Sequence, residues 1–177
     1  LIPRHSSENR KYIPMGFFDK NKIVADSCNA VPNASLYHFG TLTSLMHMAW
    51  LKQVCGRIKS DFRYSNNIVY NNFPWPENPT AAQKQAVEKA AQAVLDAREE
   101  FPDSSLADLY DPNTMPKVLT DAHRKLDAIV DKCYRSKPFE SELERIEFLF
   151  GLYEKYTKGL TLFADEEKPR KRKKGNA

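Results

Sequence analysis

Asn71-Asn72-Phe73-Pro74-Trp75-Pro76-Glu77-Asn78-Pro79-Thr80-Ala81-Ala82-Gln83 is the stretch on which the architecture turns. Pro74 and Pro76 flank a tryptophan, and neither a helix nor a strand ladder runs through two residues that lack a backbone N–H. Four residues further on, Thr80-Ala81-Ala82-Gln83 has the form of a capping box. In that motif the Thr and Gln side chains each satisfy an otherwise free N–H at a helix start. One module therefore ends near Pro76, and a helix begins near Ala81.

Downstream of this boundary the pattern is helical. The first helix runs to about Phe101, and Leu106 to Tyr110 forms a short turn of helix stopped by Asp111-Pro112. Leu119, Ala122, Leu126, Ile129, Val130 and Cys133 recur at helical spacing, which predicts a helix over about Lys117 to Tyr134. Ser141-Glu142-Leu143-Glu144 is a second capping box, opening a helix with Leu143, Ile146, Leu149, Phe150 and Tyr153 on one face. Short links predict an antiparallel bundle over residues 77–163.

Upstream, residues 1–76 predict a β-containing module built around one central helix, so the whole chain is α+β. Lys11 to Phe18 and Lys22 to Ala25 read as strands around the turn-like Asp19-Lys20-Asn21. Leu36, Phe39, Leu42, Met46, Ala49 and Trp50 predict a single helix over about Leu36 to Val54, opened by Asn33 or Ser35 and ended by Gly56. Phe62-Arg63-Tyr64 and Ile68-Val69-Tyr70 flank Ser65-Asn66-Asn67, the composition of a hairpin turn.

Charge is unevenly spread. Residues 1–76 hold nine Lys/Arg against four Asp/Glu, whereas residues 77–163 hold twelve against sixteen. Residues 164–177 form a basic tail ending in Lys168-Pro169-Arg170-Lys171-Arg172-Lys173-Lys174, expected to be disordered and solvated, or to touch phosphate. A basic half beside an acidic one points to an anionic partner for the first.

Hydrophobic residues make up 41% of the chain and charged residues 28%, which suits a soluble globular protein. No apolar run approaches the ~20 residues of a membrane span, so no membrane partner is expected. Cys28, Cys55 and Cys133 lie far apart, which suits neither a disulfide framework nor a zinc site and predicts a reducing cytoplasm. A first residue other than Met predicts a fragment of a longer chain.

The sequence carries no catalytic constellation. His5, His38, His47 and His123 fit no metal-ligand spacing, and structural roles are expected for them. The six glycines are solitary, so no Gly-rich turn cradles a nucleotide-like cofactor. Asn72-Phe73-Pro74-Trp75 distantly resembles the Asn/Asp-Pro-Pro-aromatic motif of amino-methyltransferases. Phe73 replaces the first proline, however, and the segment reads as a structural exit.

Arg57-Ile58-Lys59-Ser60-Asp61-Phe62-Arg63-Tyr64-Ser65 is the candidate interface. If the segment is one extended strand, Arg57, Lys59, Asp61 and Arg63 share a face while Ile58 and Phe62 point inward. Lys or Arg donates to guanine O6 and N7, and Asp accepts from cytosine N4. A strip meant only for phosphate has no use for Asp61. A salt-bridge ladder on an exposed strand is the competing explanation.

Leu36-Tyr37-His38-Phe39-Gly40, Met46-His47-Met48-Ala49-Trp50, Cys55-Gly56-Arg57 through Ser65, and Tyr70 through Pro76 resemble the target-recognition domain of MmeI-like (type IIL) restriction–modification enzymes and related adenine methyltransferases. Leu106-Ala107-Asp108-Leu109-Tyr110-Asp111, Met115-Pro116 and Ala122-His123-Arg124-Lys125-Leu126-Asp127 resemble that family's C-terminal helical region. Tyr134-Arg135 stands where many relatives have Tyr-Gly.

The resemblance implies an intact enzyme that transfers a methyl group from S-adenosylmethionine to adenine N6 of duplex DNA after flipping the base. It implies that Lys59 and Asp61 read a base pair with Arg63 close by, and that Ser6, Asp26 and Ser27 are further readers. Arg4, Arg57, Ser60, Ser65 and Asn66 are expected nearer the phosphates. The cofactor would be held by a methyltransferase domain upstream in the same chain, with or without a nuclease, and no cofactor site is expected in this fragment. A helical protein–protein docking module of the same complex, without base readout, is the alternative.

Overall fold

The structure is a computed structural model that describes residues 1–18 and 21–161. The tail at 164–177 and part of the turn at 19–21 lie outside the described residues. The chain order is β1 (Ile2–Pro3), β2 (His5–Ser6), β3 (Cys28–Asn29), α1 (Leu36–Leu42), α2 (Leu45–Val54), β4 (Gly56–Ile58), β5 (Asp61–Arg63), one turn of π-helix (Asn66–Tyr70), α3 (Ala81–Glu99), α4 (Leu106–Leu109), α5 (Lys117–Tyr134) and α6 (Glu142–Thr161). The arrangement is α+β, with two small antiparallel sheets, β1-β3 and β2-β5-β4, set on a helical body.

The second half forms as its local signals dictate. Thr80 and Gln83 close the expected capping box at α3, and Ser105 with Asp108 closes another at α4. Helix α5 buries Leu119, Leu126, Val130 and Cys133. It ends at Tyr134 without a glycine. Arg135 has extended backbone, donates to the carbonyls of Lys137 and Pro138, and stacks 3.7 Å over the Phe139 ring. On α6, Ile146 and Leu149 are buried as expected, but Leu143 is exposed.

The first half departs from the expected pattern in three places. Residues 11–18 and 22–25 form no strands; Tyr12, Ile13 and Met15 are nonetheless buried. The long helix breaks at Thr43-Ser44 into α1 and α2. There the Thr43 hydroxyl donates to the Phe39 carbonyl at 2.8 Å, and the Asp127 carboxylate, from α5, accepts the Leu45 N–H at 2.8 Å. A carboxylate at that position satisfies one orphan N–H of α2 and opposes the positive end of its dipole. The third departure is the expected strand at Ile68–Tyr70, which is instead the π turn, held by the Trp50 indole N–H donating to the Val69 carbonyl at 3.1 Å.

Residues 1–76 and 77–161 share one apolar core, in which Phe39, Leu42, Met46 and Leu51 are continuous with Val87, Ala91, Leu126 and Leu149. The Pro74-Trp75-Pro76 boundary thus separates kinds of secondary structure, not cores. Tyr134 and Tyr156 pin this exit by donating to the carbonyls of Pro74 and Trp75. Helices α1 and α3 meet at Gly40, where an added Cβ would lie 2.8 Å from Val87 Cγ1 and 3.1 Å from Ala91 Cβ. Gly40→Val is therefore expected to lower stability by about 1–3 kcal/mol through overpacking, read as a reduced midpoint in urea unfolding.

A buried polar network crosses the same junction. Arg98 donates to the Met15 carbonyl at 2.7 Å and to the Tyr110 hydroxyl. The Tyr110 hydroxyl meets His123 Nε2 at 2.7 Å. His123 stacks on Tyr12, with ring centroids 4.0 Å apart, and the Tyr12 hydroxyl donates to Asp127 at 2.7 Å. Burial, with Arg98 and Lys11 nearby, depresses the His123 pKa to about 3. Burial alone does the same to His47, whose Nε2 lies 3.0 Å from the Tyr64 hydroxyl. Burial raises the Asp127 pKa to about 6, against the opposing pull of its hydrogen bonds from Tyr12 and Leu45. These groups knit the junction together, and the Nδ1 of His47 and of His123 is buried without a hydrogen-bond partner among the described residues.

Candidate nucleic-acid interface

The segment at 56–63 is a tight hairpin, not a single strand. Gly56 pairs with Arg63, Arg57 with Phe62 and Ile58 with Asp61, leaving Lys59-Ser60 as the two-residue turn. Cross-strand partners share a face, so Arg57 lies with buried Phe62, and Ile58 lies with Asp61 and Arg63. The expected one-sided row of four charges is replaced accordingly. Ile58 is exposed, and Arg57 belongs to the inner face.

Arg57 is a strut. Its guanidinium sits 4.2 Å over the Phe62 ring, donates to the Ser60 carbonyl at 2.8 Å and pairs with Glu8 at 3.5 Å. These contacts hold the turn closed, so the expected phosphate role does not suit Arg57.

Strand β2 adds His5 opposite Arg63 and Ser6 opposite Phe62. Ser6 is consequently buried, and its hydroxyl has no partner among the described residues. The expected base-reading role of Ser6 is not met, because pairing turns it inward. His5, which the sequence did not single out, comes to the outer face beside Arg63 and is exposed.

At the tip, Lys59 adopts φ of 55°, a left-handed conformation that glycine or asparagine takes at less cost. The Lys59 and Arg63 side chains are exposed and have no ion-pair or hydrogen-bond partner among the described residues. Asp61 is exposed as well; one of its oxygens accepts the Glu8 N–H at 3.3 Å. Opposite charges two residues apart thus stand on one outward surface without pairing with each other.

The segment from Ile2 to Ser6 bridges the two sheets. Arg4 N–H donates to the Ser27 carbonyl and Tyr64 N–H to the Arg4 carbonyl, both at 2.8 Å. This brings the exposed Asp26-Ser27 alongside the hairpin. Arg4 is tied to Asp26, donating to its carbonyl at 2.9 Å and forming an ion pair with its carboxylate. Arg4 is therefore not the free phosphate ligand expected. Between the hairpin and the π turn runs an open polar groove of about 520 Å³ lined by Arg4, Asn29, Arg63, Ser65, Asn66 and Asn67. Ser65 and Asn66 hence lie beside the candidate readers, and Asn29 and Asn67 join them. Asn72 is occupied elsewhere: its amide donates to the carbonyls of Asn67 and Ile68 at 2.7 and 3.1 Å.

No group of three metal-binding side chains occurs among the described residues, and no described helix is long and apolar enough to cross a membrane. Residues 1–77 match the family model described as the MmeI target recognition domain, and residues 79–161 match that of the MmeI C-terminal domain. The chain thus carries an MmeI-family target recognition domain followed by an MmeI-family C-terminal domain.

Among its relatives, DNA methyltransferase A of Bacillus subtilis (strain 168) is 47% identical over 157 residues, which cover 89% of this chain and 18% of that protein. The solved structure of the type IIL restriction–modification enzyme MmeI in complex with DNA superposes with a TM-score of 0.85 at 48% identity. It covers 89% of this chain and 21% of the other. The chain thus spans about a fifth of the length of these relatives.

Proposed function

We propose that this chain reads DNA sequence for an S-adenosylmethionine-dependent adenine-N6 methyltransferase whose catalytic domain lies outside it, upstream in the same polypeptide. Duplex DNA is the partner, met in the major groove by the hairpin tip. Lys59 donates to guanine O6 and N7, and Asp61 accepts from the N4 of the paired cytosine. Arg63, Asp26 and Ser27 read neighbouring positions, and Ser60, Ser65 and Asn66 lie towards the backbone.

The observation that carries this reading is the tip itself. A two-residue hairpin turn asks for a left-handed φ at its first position, and Lys59 supplies it with a side chain that stands outward and unpaired among the described residues, two residues from the exposed Asp61. Kinship with a DNA methyltransferase, and with an enzyme solved on DNA, supports the choice of partner.

Binding to a duplex is expected to be salt-sensitive. Lys59 and Arg63 bring two unpaired positive charges among the phosphates and displace their counterions, so affinity should fall by about tenfold between roughly 50 and 200 mM salt. Fluorescence anisotropy with a labelled duplex measures this. A flat response would mean an apolar docking module instead.

A further inference from the structure

Leu1 and Gly16 exchange two backbone hydrogen bonds: Leu1 N donates to the Gly16 carbonyl at 2.7 Å, and Gly16 N to the Leu1 carbonyl at 3.2 Å. Mutual exchange of both bonds is the signature of a hydrogen-bonded antiparallel pair. Beyond this pair the ladder has no partner among the described residues, and no strand is formed at Phe17-Phe18. Beside it opens a largely apolar groove of about 490 Å³, lined by Leu1, Met15, Phe17, Phe18, Val31 and Phe39.

The groove rim is unusually apolar for a free surface. Phe17 is 44% exposed, Phe18 54%, Val24 39% and Ile23 fully so. Four large apolar side chains bared within eight residues mark an interaction surface more often than solvent-facing chain. In the family the matched domains are the target recognition domain and the C-terminal domain. The match spans only about a fifth of the longer relatives, so most of their length lies outside these two domains.

We infer that this groove seats the part of the intact enzyme that enters at Leu1, the segment leading from the catalytic domain, as a strand antiparallel to Gly16-Phe17-Phe18 with apolar side chains in the groove. The geometry fixes the register. The residue preceding Leu1 falls opposite Phe17, and the one before it falls opposite Phe18. Because hydrogen-bonded and non-hydrogen-bonded pairs alternate, the Phe18 N–H is the next donor taken up by the ladder. The inference rests on the proposed function in one respect, namely that a catalytic domain precedes Leu1.

Amide hydrogen exchange tests it, comparing the 177-residue chain with the longer polypeptide that includes the preceding domain. The Phe18 amide should exchange at least about tenfold more slowly in the longer polypeptide. Phe18→Asp should lower the thermal midpoint of the longer polypeptide clearly more than that of the 177-residue chain, where Phe18 is already half exposed. Equal exchange at Phe18 in both would overturn the inference. So would Phe18 protection in the shorter chain that deepens with concentration, which means a second copy occupies the groove. DNA site preference recorded on the same preparation separates this outcome from failure of the sequence-reading role, which does not involve Phe18.

Discussion

Lys59→Glu combined with Asp61→Arg, made in the intact enzyme, is expected to move the preference at one position of the modified site from G·C to C·G and leave the other positions unchanged. The hairpin register puts Asp61 on an outward face with the Lys59 turn beside it, so exchanging the two signs exchanges donor and acceptor in place. A good bidentate base contact discriminates by about 1–3 kcal/mol, or roughly tenfold to a hundredfold between the right and the wrong pair. Arg57 carries the turn's internal contacts and is untouched, which keeps the hairpin closed. Mapping methylated sites by sequencing reads the result. If the site is unchanged and only activity falls, the pair is a structural element of the hairpin.

Acid is expected to unfold the chain through its two buried histidines. In the native state His47 and His123 stay neutral down to about pH 3, while in the unfolded chain they take up protons near pH 6.5. Between those values the unfolded state binds more protons, so stability falls as pH falls. At pH 5 each histidine costs about 2 kcal/mol. Asp127 works in the other direction: its native pKa of about 6 lies above the unfolded value, so the native state binds the extra proton between about pH 4 and 6. That returns about 1.4 kcal/mol at pH 5 and leaves a net loss of roughly 3 kcal/mol between pH 7.5 and 5. Urea midpoints across that range check it. A midpoint that rises or stays level on acidification would show that the imidazoles are charged in the native protein.

Legibility in the sequence followed the range of the interactions. The helices from Ala81 onward were readable because caps such as Thr80–Gln83 and the stripe from Leu119 to Cys133 act within a few residues. The first half was not, because its structure is set from a distance. Asp127 breaks the long helix from 82 residues downstream, and β5 owes its face to pairing with His5 and Ser6. Ser6 was therefore expected outside and lies inside, while His5 was passed over.

The turn at Lys59-Ser60 was hidden because it lacks the Gly or Asn that usually marks a two-residue hairpin. Asn66-Asn67, which has that composition, forms the π turn. Arg57 through Ser65 reads as a charged candidate interface, but the faces its side chains take are divided by the hairpin register. Arg57 was the residue most misread, since its place over Phe62 exists only once the hairpin has folded.

The most direct measurement is a crystal structure of the intact enzyme on its own recognition duplex. It is expected to show Lys59 Nζ within hydrogen-bond distance of guanine O6 or N7, and the Asp61 carboxylate within reach of the N4 of the paired cytosine. Both side chains turned to solvent, or a duplex running past a different face of the molecule, would contradict it.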